Sequence, residues 1–145
     1  MKLIYIAGPF RAANSWEVEQ NIRRAESLSL EVWRLGAAAI CPHTNTRFFS
    51  GAADDKVWLD GDIEILRRCD AVMLTPDWER SSGARAEVDV AENLGMPVFA
   101  MLSDLKDWLE MQVIVDQSRE QERSRRTYLA NRKSDMDQLR SLVIL

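Results

Sequence analysis

Four apolar runs of strand length, LIYIA (3–7), AAAIC (37–41), AVMLT (71–75) and PVFAM (97–101), are set along the first hundred residues with helix-forming segments between them. Each run is continuously apolar rather than alternating, which is how a strand buried on both faces reads. Such strands need a covering layer on either side, and the intervening segments are long enough to be crossover helices. The pattern therefore predicts a parallel sheet sandwiched between helices. In the first crossover Val18, Ile22, Ala25, Leu28, Val32 and Leu35 recur at three- and four-residue steps, giving one amphipathic helix that Gly36 ends. Gly8-Pro9 closes the first strand, Pro42 the second, and Gly95-Met96-Pro97 separates the last helix from the last strand.

The expected fold is α/β, a flavodoxin- or Rossmann-like three-layer sandwich with a parallel sheet of four or five strands. Residues 43–55, HTNTRFFSGAADD, read as a polar loop over the carboxyl edge of the sheet, and a helix is expected from about Val57 to Arg68. One α/β domain over residues 1–102 is expected, followed by a helical, charge-rich extension over 103–145 that packs on the domain or on a neighbouring subunit. The final LVIL reads as a fifth strand or an interface strip.

Composition narrows the function. A chain of 145 residues that is 46% hydrophobic is long enough for one core and one pocket. Its net charge of −4 offers no overall positive field, which disfavours long nucleic acid as a partner. The apolar runs are far shorter than the ~20 residues of a membrane helix, and the opening Met1-Lys2 leads into no signal-peptide pattern, so a cytoplasmic protein without membrane contact is expected. Cys41 and Cys69 border apolar runs and read as buried free thiols; neither has metal-ligand spacing, and no cofactor is implied.

Two carboxylates break the pattern. On the helix after the third strand, with Ser81 or Ser82 as N-cap, the inward positions are Ala84, Glu87, Val88, Ala91, Leu94 and Gly95. A carboxylate against apolar surface is costly unless it is paired or set in a cleft. On the preceding helix Asp62 shares a side with Trp58, Leu59, Ile63, Ile65 and Leu66. In open α/β sheets ligands bind beyond the carboxyl ends of the strands, the edge that both acids approach. Two carboxylates in one crevice suit cleavage of a glycosidic bond, where one supplies a negative oxygen to an oxocarbenium-like centre and the other assists the leaving group.

IYIAGPF, WLDGDIEILRRCDAVML and SSGARAE followed by A-x-x-L-G, in this order and spacing, resemble the nucleoside 2-deoxyribosyltransferase-like superfamily. Within it, the resemblance is to a subgroup with AGP, CPHTNT and GARAE signatures, related to the deoxynucleoside 5′-monophosphate N-glycosidases. It covers roughly residues 2 to 101. It implies an enzyme with Glu87 as the nucleophile attacking the anomeric carbon, Asp62 as the residue assisting the leaving base, and Tyr5 orienting the nucleophile. It also implies substrate binding by Gly8, Pro9, Phe10 and Arg11 of the first loop and by Ser81, Ser82 and Gly83 before the nucleophile helix, where amides and the helix dipole favour an anion. Pro9 and Ala12 depart from the serine and glycine of the monophosphate-cleaving branch, which leaves a free nucleoside open as substrate. Active sites of the superfamily are shared between subunits, which implies a homodimer or larger homo-oligomer.

Each residue also has a plainer reading. Glu87 pairs with Arg11 or Arg85, Asp62 caps or pairs locally with Arg67, Tyr5 is core, and Arg11 is solvated. His43 and Asn45, in the loop after the second strand, contact a base or serve only structure. The five tryptophans pack core, helix faces or an interface, with Trp78 near the pocket mouth. Two functions follow: an N-glycosidase or deoxyribosyltransferase acting on a (deoxy)nucleoside or its 5′-monophosphate, and a non-catalytic nucleotide-binding or sensing module.

Overall fold

The computed structural model describes residues 1–49 and 51–143; within its last helix the side chains of residues 134, 137 and 139–143 are outside the description. The elements are β1 (Leu3–Ala7), α1 (Ser15–Arg34), β2 (Ala38–Ile40), α2 (Pro42–Asn45), α3 (Asp55–Leu66), β3 (Ala71–Leu74), a 3-10 turn at Trp78–Arg80, α4 (Ser82–Asn93), β4 (Val98–Phe99) and α5 (Leu102–Val143). The four strands form one all-parallel sheet in the order β2-β1-β3-β4. The expected α/β sandwich with a parallel sheet is thus the observed architecture, with four strands among the described residues.

The chain forms two compact units, Met1–Asp107 and Trp108–Leu145. In the first, register sorts the core into two layers. Tyr5 pairs with Val72 and Ala7 with Leu74, and these four side chains share a buried cluster with Leu66 of α3 and Val88 and Ala91 of α4. By strand alternation Ile4, Ile6, Ala71 and Met73 turn to the opposite face. There α1 packs on β1 and β2, with Ile22, Ala25 and Val32 buried. Right-handed crossovers require this split: the first connection leads outward to β2 and the later ones lead the other way, so their helices cover opposite faces. Each fully buried Ile, Leu or Val contributes about 1.5–3 kcal/mol.

Several expectations need correction. The segment after β2 is not loop throughout: Pro42 starts a helical turn, its missing N–H costing nothing at a helix start, and α3 begins at Asp55. Leu94 and Leu59, placed inward by periodicity, are 55% and 48% exposed. β4, the edge strand beside α4, is only two residues long, so little sheet lies under the last turn of that helix. Trp16 and Trp33 are exposed on α1, which rules out the core for them and leaves the helix face or an interface.

In the second unit the described residues 116–133 of α5 are exposed, with Arg126 and Glu122 paired one turn apart along the helix. The expectation for LVIL (142–145) falls outside the described residues at 144 and 145, and outside the described side chains at 142 and 143. Among the described residues no helix is long and apolar enough to cross a membrane.

Candidate functional site

The strand order reverses direction at β1 and β3: β1 leads out to β2 on one side and β3 to β4 on the other. At such a switch point the two loops part and leave a crevice beyond the strand ends. Below those strand ends lies Tyr5, the middle residue of β1, fully buried on the α3/α4 side. A buried tyrosine hydroxyl needs a partner, and it donates to Glu87 Oε1 at 2.6 Å. Glu87 is on α4 beside buried Val88, in the second turn after Ser81, whose Oγ accepts from the Ala84 amide at 3.2 Å and so starts the helix. The misplaced carboxylate of the periodicity is thus partnered from the neighbouring strand, 82 positions away in sequence.

The electrostatics follow from this burial. Loss of water pushes the Glu87 carboxyl up to about 7; the Tyr5 hydrogen bond opposes the rise and the negative charge of Asp62 adds to it. Asp62, on α3 and partly buried, is raised to about 6 by burial. The Tyr5 phenol is driven upward, first by burial and then by the Glu87 charge, so it stays a donor at any physiological pH. The three groups sense one another, since Asp62 acts on both Tyr5 and Glu87. Two carboxyls raised toward neutrality can each give or accept a proton near pH 7, while the phenol keeps its proton and acts as a fixed hydrogen-bond donor.

The crevice wall depends on Gly8. A Cβ there would lie 1.9 Å from Thr75 Oγ1, so only glycine lets the chain leaving β1 pass the residue that ends the β3 run. Thr75 is itself buried, and its amide donates to Ala7 O at 2.9 Å, extending the register to the crevice lip. Beyond Gly8 the loop carries Pro9, Phe10 and Arg11. Arg11 is ion-paired with Asp55, the first residue of α3, and both side chains are mostly exposed.

The remaining candidates fall in different places. His43 is 5% exposed, its Nε2 lies 3.0 Å from Pro9 O, and its ring is tilted against Phe10 at 5.9 Å between centroids. Burial lowers its pKa against the opposing pull of that carbonyl, so the imidazole is neutral with Nε2–H donating. Asn45 is exposed, as is Ser82, while Gly83 is partly buried with only Ser81 Oγ and Leu59 near its Cα side. Trp78 is partly buried against the Tyr5 cluster. Cys41 and Cys69 are buried and unbridged, and burial next to Asp70 lifts the Cys69 thiol to about 11. Among the described residues no group of three or more His, Cys, Asp or Glu is placed to hold a metal. Sequence reasoning missed Asn21, Asp55 and Thr75. Asn21 carries the same signal as Glu87, a polar residue beside an apolar stripe, here next to Ile22.

Fold and site together define an α/β protein with an all-parallel sheet and, on one face of it, a buried tyrosine–glutamate pair that senses a second raised carboxyl. Residues 2–101 match the family described as a domain of unknown function (DUF7768), and the chain belongs to that family. No curated protein matches the sequence. Among solved structures it is similar to a 2-deoxyribosyltransferase from Bacillus psychrosaccharolyticus, at 22% identity and a TM-score of 0.50, over 66% of this chain and 69% of that one. It is also similar to a conserved protein from Enterococcus faecalis V583, at 25% identity and a TM-score of 0.53, over 68% of this chain and 61% of that one, so it spans less than two thirds of that protein.

Proposed function

We propose that the protein cleaves the N-glycosidic bond of a (deoxy)nucleoside or its 5′-monophosphate, with Glu87 as nucleophile. The observation that carries the reading is the 2.6 Å hydrogen bond from buried Tyr5 to Glu87. A structural carboxylate has no need of a burial that raises it to about 7, whereas a nucleophile gains from it, since a carboxylate stripped of water attacks readily. The likeness in fold to a 2-deoxyribosyltransferase supports the same substrate class.

In the first step a Glu87 carboxylate oxygen bonds to the anomeric carbon while the bond from that carbon to the base nitrogen breaks. Tyr5 holds Oε1, which leaves Oε2 as the attacking atom. The departing base takes a proton from Asp62, which burial keeps protonated up to about pH 6. In the second step water, or the nitrogen of another base, displaces Glu87 from the sugar and gives its proton to the Asp62 carboxylate, restoring both acids. The protein acts as a hydrolase when water is the acceptor and as a transferase when a base is.

The test is a panel of deoxyribo- and ribonucleosides and their 5′-monophosphates, with free base followed by chromatography. Release is expected from at least one member, with loss in Glu87→Ala and a sugar ester on Glu87 visible by mass spectrometry. Release that persists in Glu87→Ala overturns the assignment. Binding without release by the unaltered protein favours a sensing module instead.

A further inference from the structure

The loop between β1 and α1 is held from behind at three successive peptide units. His43 Nε2–H donates to Pro9 O, and Asn21 Nδ2 donates to Phe10 O at 3.2 Å and to Arg11 O at 3.4 Å. Asn21 is 8% exposed, and its amide has one possible orientation: Arg24 Nη2 donates to Oδ1 at 2.5 Å, which turns Nδ2 toward the loop. Further on, Glu17 accepts from the Ala13 amide and Asn14 caps α1, so the loop is fixed where it enters the helix as well.

A trans peptide is planar, with its C=O and N–H on opposite sides. Drawing the carbonyls of residues 9, 10 and 11 toward α1 and α2 therefore turns the amides of Phe10, Arg11 and Ala12 away from those helices. None of the three has a backbone acceptor among the described residues. Successive amides aimed the same way make a concavity suited to an anion or an oxygen acceptor.

We propose that Asn21 and His43 are positioning residues that hold this loop by its carbonyl oxygens, so that the amides of Phe10, Arg11 and Ala12 are presented together as donors to the substrate. This rests on the nucleoside or nucleotide reading above. Neither side chain touches substrate; each acts through the backbone of residues 9 to 11. Asn21→Asp keeps the size and the Arg24 partner but replaces two donors with an acceptor that repels the carbonyls. His43→Leu removes a donor, whereas His43→Gln keeps one.

Two measurements test the proposal. The first needs no substrate: 15N–1H heteronuclear NOEs of residues 10–12 are expected at the level of α1 in the unaltered protein and in His43→Gln, and to drop in Asn21→Asp and His43→Leu while those of β1, β3 and α4 hold. A loop that stays equally ordered in Asn21→Asp overturns the clamp, whatever the protein's activity. The second uses whichever panel member is cleaved. Asn21→Asp and His43→Leu are expected to raise KM at least ten-fold, with kcat falling by less than KM rises and His43→Gln restoring KM to within about three-fold. A loosened loop with unchanged KM, or a loss confined to kcat, overturns the positioning role. If no panel member is bound or cleaved, the nucleoside reading and the role toward its substrate fail together, and the NOEs alone decide whether the clamp itself stands.

Discussion

Replacing Tyr5 with phenylalanine removes a single oxygen and leaves the ring in its buried place, so the consequence can be worked from one bond. The hydroxyl donates to Glu87 Oε1 at 2.6 Å, in the range of charge-assisted O–H···O⁻ bonds. Such a bond favours the ionised acceptor by about 1.5–3 kcal/mol, and each 1.36 kcal/mol is one pKa unit. Glu87, already raised to about 7, should therefore rise to about 8–9 in Tyr5→Phe. The proposed mechanism requires ionised Glu87 and protonated Asp62, so kcat/KM should trace a bell between limbs near 6 and 7, with its optimum near pH 6.5. In Tyr5→Phe the optimum should move toward about pH 7–7.5, and kcat/KM below pH 6 should fall about 10- to 100-fold, because the ionised fraction falls tenfold per unit. The assay is the pH profile of base release, paired with a 13C titration of the Glu87 carboxyl that needs no turnover. A Glu87 titration that stays near 7 in a folded Tyr5→Phe protein would refute the reasoning.

The burial that prepares Glu87 should also cost stability. Its pKa is raised from an ordinary 4.5 to about 7, so its contribution is fully present below about pH 4.5 and is lost as pH rises through 7. Glu87→Gln should thus match the unaltered protein near pH 4.5 and be more stable at pH 8 by up to about 3 kcal/mol; melting curves that stay the same distance apart across that range would contradict it. Gly8→Ala must displace Thr75, and chemical denaturation should show a loss of about 1–3 kcal/mol that Thr75→Ala partly restores. Asp55→Asn releases Arg11 from an exposed pair, so stability should change by less than about 1 kcal/mol, while KM for a 5′-monophosphate falls about two- to five-fold and KM for the nucleoside does not.

How far the chain discloses itself depends on the range of the force involved. Strand runs and the α1 stripe are local patterns, and the parallel sheet follows from them because doubly buried strands admit few arrangements. Glu87 is legible for the same reason: a charge beside Val88 and Ala91 breaks a local period. Leu94 is misread because periodicity assigns a face to a helix but not the extent of sheet beneath it. Gly8 against Thr75, and Arg11 with Asp55, are contacts between loops that meet only after the sheet has formed, and no spacing along the chain encodes them. His43 sits between: its place after Pro42 is visible, but its burial under the first loop is a tertiary fact.

Asn21 and Glu87 show why a polar residue on an apolar stripe is informative without being specific. Both are withdrawn from water by the same kind of helix-on-sheet packing, and both must then be satisfied within the protein. Asn21 satisfies all its polar groups at once, through two carbonyls and a guanidinium, and therefore has little left to offer a ligand. Glu87 has one oxygen engaged by Tyr5 and no protein donor on the other among the described residues. A neutral amide tolerates burial when its valences are filled, whereas a carboxylate with one oxygen unfilled carries a penalty that the raised pKa records. The unsatisfied valence therefore separates a framework residue from one able to meet a ligand, and of these two it falls on Glu87.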